Sequence, residues 1–278
     1  MVYIILPVFK RVSLTNSFIE SVRGASNVDV RFVIVDDETS IYSNYEQFKT
    51  NDDVIALKTT GDVWWCKTVF IGIEYLIDTI PSDEFPDDII IIANNDVRVQ
   101  SNTFNILDML DDNCILHPLT RLKDTGFVVS SGCKVLSWFP YITKHNFNIQ
   151  KELIDVDMLT ARFLCMKGAV LLKNGNISDQ LLQYHGDSEF TLRAKLNGIN
   201  NYIVTNIIVT LDDNDNSAIN QKSITNYFKS SFNETKSNSI KQKYLFLRCN
   251  FGVVKSLLIA LSMFINGLVK VFLRKVRG

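Results

Sequence analysis

The run Ile89–Ala93 most constrains what this 278-residue chain can fold into. Five consecutive apolar residues, bounded by Asp88 and by Asn94-Asn95-Asp96, predict a strand that is buried on both faces, as in a parallel sheet. In α/β folds, ligands bind where such strands end at their carboxyl side. The side chains of Asn94, Asn95 and Asp96 suit a hard cation of the kind that neutralises a diphosphate. A solvated loop after a strand is the simpler interpretation of this tripeptide alone.

Strands and helices alternate along the first two thirds of the chain. Three more apolar runs predict strands at Val2–Leu6, Val30–Val35 and Val54–Leu57. The spacing of apolar residues predicts a helix from about Ser13 and another over Trp64–Ile77. This order predicts an α/β domain with a mostly parallel central sheet and right-handed crossovers.

The middle and the later part of the chain have a different pattern. Short β-prone runs within Gly126–Val135 and Asp155–Leu172 predict an antiparallel extension or a lid. A helix over about Ser188–Leu196 and a β-prone stretch at Tyr202–Leu211 follow. Residues 212–240 are rich in Asn, Ser, Asp and Lys and are predicted to be a flexible linker or loop.

The composition favours a folded protein in a reducing compartment. Hydrophobic residues make up 46% and charged residues 21%, unlike a disordered chain. The five cysteines include no C-x-x-C pair, so neither a zinc knuckle nor a disulfide framework is predicted. The first apolar stretch is too short for a signal peptide, and we expect a cytoplasmic protein. The Gly-rich motifs of dinucleotide-binding oxidoreductases and P-loop enzymes do not occur.

Charge is distributed unevenly along the chain. Residues 241–278 contain eight basic residues and no acidic one, which leaves 21 basic against 30 acidic residues in the rest. Ser256–Val269 is uncharged but shorter than the roughly 20 residues of a membrane span. On a helix, the polar residues Ser262 and Asn266 fall on the side of Lys255 and Lys270. We therefore predict that 241–278 is a basic amphipathic helical region that associates with a membrane surface through 251–278; docking on the protein or in a homodimer is the alternative.

A second polar cluster follows the second predicted strand. Asp36–Ser40 begins with two carboxylates and Glu38, which could accept hydrogen bonds from a nucleobase or from ribose hydroxyls. An acidic turn at a helix N-terminus would use the same residues. Since parallel strands bring their carboxyl ends to one edge, we expect Asp36 and Asp37 to lie near Asn94–Asp96.

Five segments, in order, resemble motifs of the family-2 glycosyltransferases. Pro7–Arg11 resembles the proline-containing first loop, and Val33–Ser40 is similar to the V-D-D-G-S segment that binds the nucleotide. Gly61–Lys67 resembles the W-W-G-G stretch of bacterial rhamnosyltransferase-like members. Asn94–Val97 falls where the family has its D-x-D or N-x-D motif. Tyr184–Ala194 looks like the Y-x-x-D-x-D/E-F-x-L-R-A segment that carries the catalytic base.

The resemblance implies a GT-A fold over 1–211 and an inverting transfer from a dTDP- or UDP-linked sugar with Mn²⁺ or Mg²⁺. It implies that Asp96 binds the metal and that Asp187 is the base. Glu189 is the other candidate for the base, or it orients Arg193 or contacts a sugar hydroxyl. The residues placed against the nucleotide-sugar are Pro7, Val8, Phe9, Arg11, Asp36, Asp37, Trp64, Trp65, Lys67, Asn94 and Asn95.

Two departures from the family pattern bear on the site. Many members have Glu immediately before the catalytic Asp, where this chain has Gly186. Many also supply a histidine metal ligand after the last strand, where this chain has Asp212 and Asp213. Asp212 or Asp213 could replace that histidine, or Asp96, the diphosphate and water could hold the metal. Without the family order, Asp187 could instead be a charge at a helix N-terminus.

The sequence thus predicts a bacterial glycosyltransferase that extends a lipid-linked glycan, as in O-antigen or capsule assembly, on the cytoplasmic face of the plasma membrane. A sugar-1-phosphate nucleotidyltransferase is the alternative enzyme, although Phe9–Ser13 lacks the glycines of its phosphate loop. An inactive scaffold of a membrane complex is the alternative without catalysis. We expect no nucleic-acid partner.

Overall fold

The structure, a computed structural model, describes residues 1–39, 45–145, 147–211 and 223–277. Their strands are β1 (Val2–Val8), β2 (Val30–Asp36), β3 (Val54–Lys58), β4 (Ile89–Ala93), β5 (Val97–Arg98), β6 (Cys114–Leu122), β7 (Val128–Val129), β8 (Gly132–Trp138), β9 (Tyr141–Lys144), β10 (Leu153–Val156), β11 (Met158–Leu159), β12 (Phe163–Lys167) and β13 (Asn200–Leu211). Their helices are α1 (Val12–Ala25), α2 (Tyr45–Phe48), α3 (Trp64–Thr79), α4 (Gly168–Asn174), α5 (Gly186–Leu196), α6 (Ile224–Ser231), α7 (Ile240–Arg248) and α8 (Val253–Arg277).

A ten-stranded sheet forms the centre, in the order β10-β13-β6-β12-β4-β1-β2-β3, with β5 and β7 paired beside it. The four strands β3, β2, β1 and β4 are parallel, and so are β6 and β13. Strand β12 runs antiparallel between β4 and β6. The predicted α/β class with a mostly parallel central sheet is confirmed, and β1, β2 and β4 end at the same edge.

Strand β1 is buried on both faces because apolar residues occupy nearly every position. Ile4 and Leu6 pack on the side of α1, whereas Ile5 packs on the side of α3, and all three are 0% exposed. Burying a side chain of this size contributes roughly 1.5–3 kcal/mol. The central strand is therefore held from both sides.

Helix α3 approaches the sheet closely at one glycine. A Cβ atom added at Gly72 would lie 2.7 Å from Ile5 Cγ2 and 3.2 Å from Val35 Cγ2. The absence of a side chain at Gly72 lets the helix pack directly on β1 and β2. This packing fixes the position of the helix N-terminus, Trp64, over the carboxyl edge of the sheet.

The predicted antiparallel extension is confirmed by a second, three-stranded sheet in the order β11-β8-β9. Its Cys133 and Met158 share a third apolar cluster with Phe246 and Leu247 of α7 and with Ile259 of α8. The C-terminal helices are therefore packed on the body of the protein.

The region predicted as a linker, 212–240, is only partly described. From residue 223 onward it contains helix α6, whose Tyr227 is 2% exposed. Asp212 and Asp213 lie outside the described residues. Helix α7 begins after Ser239, whose side chain accepts a hydrogen bond from the Gln242 backbone N–H. This N-cap explains why a separate helix starts there.

Candidate active site

A cleft of about 1020 Å³ opens at the carboxyl edge of the central sheet. The loop after β1, the start of α3 and the turn after β4 form one side, and the β11–β12 loop and the start of α5 form another. Its lining includes eleven of the residues predicted for the site, namely Pro7, Val8, Phe9, Arg11, Asp37, Trp64, Trp65, Asn94, Asn95, Asp96 and Asp187. The sheet topology therefore brings together motifs that are up to 180 residues apart (Pro7 to Asp187).

Asp37 holds the turn that leads into α3. Its Oδ1 accepts hydrogen bonds from Thr59 Oγ1 at 2.6 Å and from the Val63 backbone N–H at 3.1 Å. Its Oδ2 accepts a bond from the Trp64 backbone N–H at 3.0 Å. A hydrogen bond to a charged group contributes about 1.5–3 kcal/mol. Asp37 thus positions Trp64 at the cleft while it lines the cleft itself.

Asp36 does not reach the cleft. Its side chain is 0% exposed, and its two oxygens accept hydrogen bonds from the backbone N–H groups of Glu38 and Tyr45. Tyr45 is the first residue of α2. The carboxylate of Asp36 therefore binds the backbone at Glu38 and at the start of α2, and it is not part of the cleft lining.

Trp65 is fixed by the turn after β4. Its indole Nε1 donates a hydrogen bond to Asn94 Oδ1 at 3.0 Å, and Asn95 Nδ2 donates one to Thr15 Oγ1 of α1 at 3.1 Å. The two asparagines therefore tie the turn to α3 and α1. Asp96 follows them, is half-buried and lines the cleft.

Asp187 lies in the first turn of α5, where its carboxylate is oriented by three donors. The Ser188 N–H lies 2.7 Å from Oδ1, the Ser188 hydroxyl 3.4 Å from Oδ1, and the Ala161 N–H 3.3 Å from Oδ2. Burial raises the pKa of this carboxyl, and these hydrogen bonds and the charge of Arg162 oppose the rise. A carboxylate with a raised pKa in a cleft is suited to accept a proton.

The structure explains why Gly186 precedes Asp187. A Cβ atom there would lie 2.5 Å from Cys66 Sγ and 3.2 Å from Ile177 Cδ1. The Cys66 backbone N–H also donates a hydrogen bond to the Leu182 carbonyl at 2.9 Å. The starts of α3 and α5 are therefore in direct contact, and a glutamate at 186 has no room.

Backbone strain is concentrated at the cleft. Five described non-glycine residues have positive φ, and four of them line the cleft: Arg11 (φ 61°), Asp62 (φ 54°), Trp64 (φ 66°) and His185 (φ 71°). Each such conformation costs of order 1–3 kcal/mol and persists where the surroundings impose it. The grouping of these positive-φ residues at the cleft indicates a functional site.

Besides Asp36, three more predicted site residues lie outside the cleft. Arg193 Nε donates to Glu189 Oε1 at 2.7 Å, and the guanidinium also bonds the carbonyls of Asn174 and Asn176. Glu189 is 0% exposed. Lys67 pairs with Asp179 at 3.1 Å on the outer side of α3. None of the three lines the cleft.

Sequence reasoning missed one wall of the cleft. Helix α6 and the residues after it contribute Asn226, Lys229, Ser230, Asn233, Thr235 and Lys236. Asp62, Thr160, Arg162, Gln183, Tyr184 and His185 were not predicted as site residues either. Burial, with a smaller contribution from Lys243, lowers the pKa of His185 to about 4, and the ring stacks on Phe246. The polar composition of 212–240, rich in Asn, Ser, Asp and Lys, predicts a linker, and it gives no signal that 223–236 faces a cleft.

The donor set for a metal is incomplete among the described residues. Of the two predicted ligands, Asp96 lines the cleft and Asp212 lies outside the described part of the chain. The described residues contain no group of three or more His, Cys, Asp or Glu side chains arranged around a common point. A carboxylate oxygen fits Mn²⁺ or Mg²⁺ chemically, and Mg²⁺ sites commonly use one or two carboxylates with substrate phosphates and water.

The fold is similar to those of several solved glycosyltransferases. GalNAc-T7 with UDP, GalNAc and Mn²⁺ matches with TM-score 0.61 and 13% identity, over 76% of this chain and 44% of that one. The mannosyltransferase PcManGT from Pyrobaculum calidifontis, in complex with GDP-Man and Mn²⁺, matches with TM-score 0.61 and 10% identity, over 99% and 73%. S. aureus TarS 1–349 in complex with UDP-GlcNAc matches with TM-score 0.55 and 10% identity, over 92% and 69%.

This chain therefore has a GT-A-like glycosyltransferase fold. No family model and no curated protein matches the sequence. Membership of family 2 and of its rhamnosyltransferase-like branch stays a prediction.

Proposed function

We propose that the protein is an inverting glycosyltransferase that moves a sugar from a nucleoside-diphosphate sugar to an acceptor hydroxyl. One observation carries the proposal. Asp187, a half-buried carboxylate with a raised pKa, shares a cleft with Asp96 at the carboxyl edge of a GT-A-like sheet. The cleft therefore contains both a candidate general base, Asp187, and a candidate site for the diphosphate, at Asp96.

The donor would bind on the side formed by β1, α3 and β4. The nucleotide would be surrounded by the loop Pro7–Arg11, Asp37, Trp64 and Trp65. Asn94 and Asn95 would hold the turn that carries Asp96. Asp96 would bind Mn²⁺ or Mg²⁺ together with the diphosphate, and the ion would offset charge on the leaving group. We propose Asp212 as the second protein ligand of the metal ion.

Asp187 would take the proton from the acceptor hydroxyl. The acceptor oxygen then forms its bond to the anomeric carbon while the bond from that carbon to the diphosphate breaks and the electron pair leaves with the diphosphate. One displacement of this kind inverts the anomeric centre and needs no protein nucleophile. General-base assistance contributes typically ~10²–10⁴-fold.

The remaining assignments concern the acceptor and location. We assign 1–211 to the catalytic domain, with 223–236 completing its cleft, and 241–278 to membrane association. The acceptor would be a lipid-linked glycan of bacterial surface polysaccharide synthesis, reached from the cytoplasmic face. The absence of acidic residues in 241–278 supports contact with an anionic membrane.

Thermal unfolding with a panel of UDP-, GDP- and dTDP-sugars, with and without Mn²⁺ or Mg²⁺, tests donor binding. A ligand at a hundredfold excess over its Kd stabilises the folded state by about 2.7 kcal/mol. We expect one nucleotide class to raise the unfolding temperature, more so with metal. No shift with any donor in the panel would contradict the proposal.

Asp187→Asn tests the base. We expect release of nucleoside diphosphate to fall by about 10²-fold or more while the donor-induced thermal shift is retained. Asp179→Asn is a matched control, because Asp179 pairs with Lys67 outside the cleft. An unchanged rate of nucleoside-diphosphate release in Asp187→Asn would exclude Asp187 as the general base and would assign that role to another carboxylate.

A further inference from the structure

Helix α8 turns polar residues toward the protein. The Tyr141 backbone N–H of β9 donates a hydrogen bond to Ser262 Oγ at 2.9 Å, and Asn266 Nδ2 donates one to the Tyr141 carbonyl at 2.9 Å. Ser256 is 0% exposed and Ser262 is 6% exposed. The polar groups that an amphipathic helix normally turns to water are used here for docking.

The opposite side of α8 exposes a continuous apolar stripe. Its members are spaced three, four or seven residues apart and so lie on one helical face. They are Val254 (71% exposed), Leu258 (49%), Leu261 (54%), Ile265 (50%) and Phe272 (54%). A row of large apolar side chains of this length in water indicates an interaction surface.

The β8–β9 hairpin beside α8 also exposes apolar side chains. Leu136 is 61%, Phe139 65% and Ile142 46% exposed. Strand β9 is the edge of its sheet, and its Tyr141 backbone bonds α8 directly. The hairpin and the helix are therefore held together as one unit.

The charges on this unit have one sign. The hairpin, residues 132–144, and the helices α7 and α8 contain no Asp or Glu. Lys144, Lys255 and Lys270 are exposed on these elements, and Lys255 Nζ lies 4.1 Å from the centre of the Phe251 ring. Exposed apolar side chains bordered by cations match the interface of an anionic bilayer.

We propose that the α8 stripe and the β8–β9 hairpin together form a docking surface for an anionic lipid bilayer, with α8 lying in the plane of the interface. By length and composition, Val253–Leu273 is sufficient to cross a membrane. Crossing would separate Ser262 and Asn266 from Tyr141, which favours the in-plane arrangement. A second copy of the chain would bring like charges together, whereas anionic lipids attract them.

The surface is connected to the cleft through α6. Tyr227 Oη donates a hydrogen bond to the Phe264 carbonyl of α8 at 2.8 Å, and its ring packs against Gly267. Asn226, Lys229 and Ser230 of the same helix line the cleft. Docking on a bilayer would therefore bring a lipid-linked acceptor to the cleft. This last step rests on the proposed transferase activity, whereas the lipid surface rests only on the proposed membrane association of 241–278, to which it adds the β8–β9 hairpin and the in-plane arrangement.

Co-sedimentation of the full chain with phosphatidylcholine vesicles, with and without phosphatidylglycerol, tests the surface. We expect binding that requires the anionic lipid and weakens as salt is added. The double variant Leu258→Glu/Leu261→Glu should weaken it by about tenfold or more, because two apolar contacts are lost and two like charges are added. Phe139→Ser should weaken it by a smaller factor.

A matched control is available on the other helices. Leu172 in α4 and Leu196 in α5 are 54% and 56% exposed, so Leu172→Glu/Leu196→Glu makes the same change away from the surface and should leave binding intact. Equal loss in both double variants, or no vesicle binding by the parent chain, would overturn the proposal. A concentration-dependent dimer that Leu258→Glu/Leu261→Glu dissolves, without vesicle binding, would assign the stripe to a second copy.

Two further readouts separate the possible results. Retention of the protein in vesicles at high pH and high salt would indicate a spanning helix and would contradict the in-plane arrangement. The donor-induced thermal shift should be unchanged in Leu258→Glu/Leu261→Glu. Loss of vesicle binding together with an unchanged donor-induced thermal shift would show that membrane docking and donor binding are independent. Either proposal could then be wrong while the other is right.

Discussion

The α-carbon of Gly186 faces the thiol of Cys66 so closely that a methyl group at residue 186 would lie 2.5 Å from Cys66 Sγ. Cys66 is the third residue of α3, and Gly186 is the first residue of α5. This contact joins the helix that begins with the tryptophan pair to the helix that carries Asp187. The spacing of the two sides of the cleft depends on it.

Gly186→Ala is expected to destabilise the protein by about 1–3 kcal/mol, because it overpacks a site with no free volume. Equilibrium unfolding in urea measures the change. In a Cys66→Ala background, where the sulfur is absent, the same glycine substitution should cost clearly less. Additive effects of the two substitutions would contradict the contact.

Asp187 should set the acid limb of the pH dependence of kcat/KM. Burial raises the pKa of this carboxyl above its ordinary value of 3.8. The base must be ionised, so activity should fall as the pH decreases through that raised pKa and should be retained above it. An acid limb at or below the ordinary value, measured where the fold is intact, would speak against Asp187 as the base.

Asp37→Asn should weaken both the fold and donor binding. The amide replaces one of the two carboxylate oxygens that accept from Thr59, Val63 and Trp64, and we expect a loss of roughly 1–3 kcal/mol in the free energy of unfolding. The donor-induced thermal shift should also decrease, because Trp64 loses its fixed position. Asp53→Asn, which removes an exposed pairing with Arg23, is the control and should affect neither strongly.

Arg193→Ala distinguishes a structural from a substrate-binding role. The guanidinium neutralises Glu189, whose side chain is 1% exposed, so its removal should cost about 3–5 kcal/mol in unfolding free energy. KM for the acceptor should change little at temperatures where the variant is folded. A raised acceptor KM with unchanged stability would support the sugar-contacting role that the motif suggested.

Much of the α/β core was predictable because its signals are local. The uninterrupted apolar run at Ile89–Ala93 predicted a strand buried on both faces, and the mostly apolar run at Val30–Val35 predicted another strand. The structure places both in the parallel part of the sheet. Asn94–Asp96 and Asp37 came together because parallel strands end at one edge. These predictions needed only periodicity and topology.

The individual roles of charged residues were less predictable. Asp36 and Asp37 are adjacent in sequence, yet Asp36, the last residue of β2, binds the backbone of Glu38 and Tyr45, whereas Asp37 lines the cleft. Successive residues of an extended chain point to opposite sides. The pair Glu189–Arg193 has helical spacing that suits either a substrate contact or an internal ion pair. Only burial distinguishes these roles.

By itself, the sequence determined the main strands and helices of the parallel part of the sheet, the apolar runs that form its buried strands and the position of the polar turns at strand ends. Tertiary structure alone decided that α6 forms a wall of the cleft, that Gly186 is required by Cys66, and that α8 turns Ser262 and Asn266 inward and leucines outward. The physical reason is that periodicity identifies the two faces of a helix but not which one meets the protein. That choice depends on partners such as Tyr141, which lies 121 residues from Ser262 in the chain.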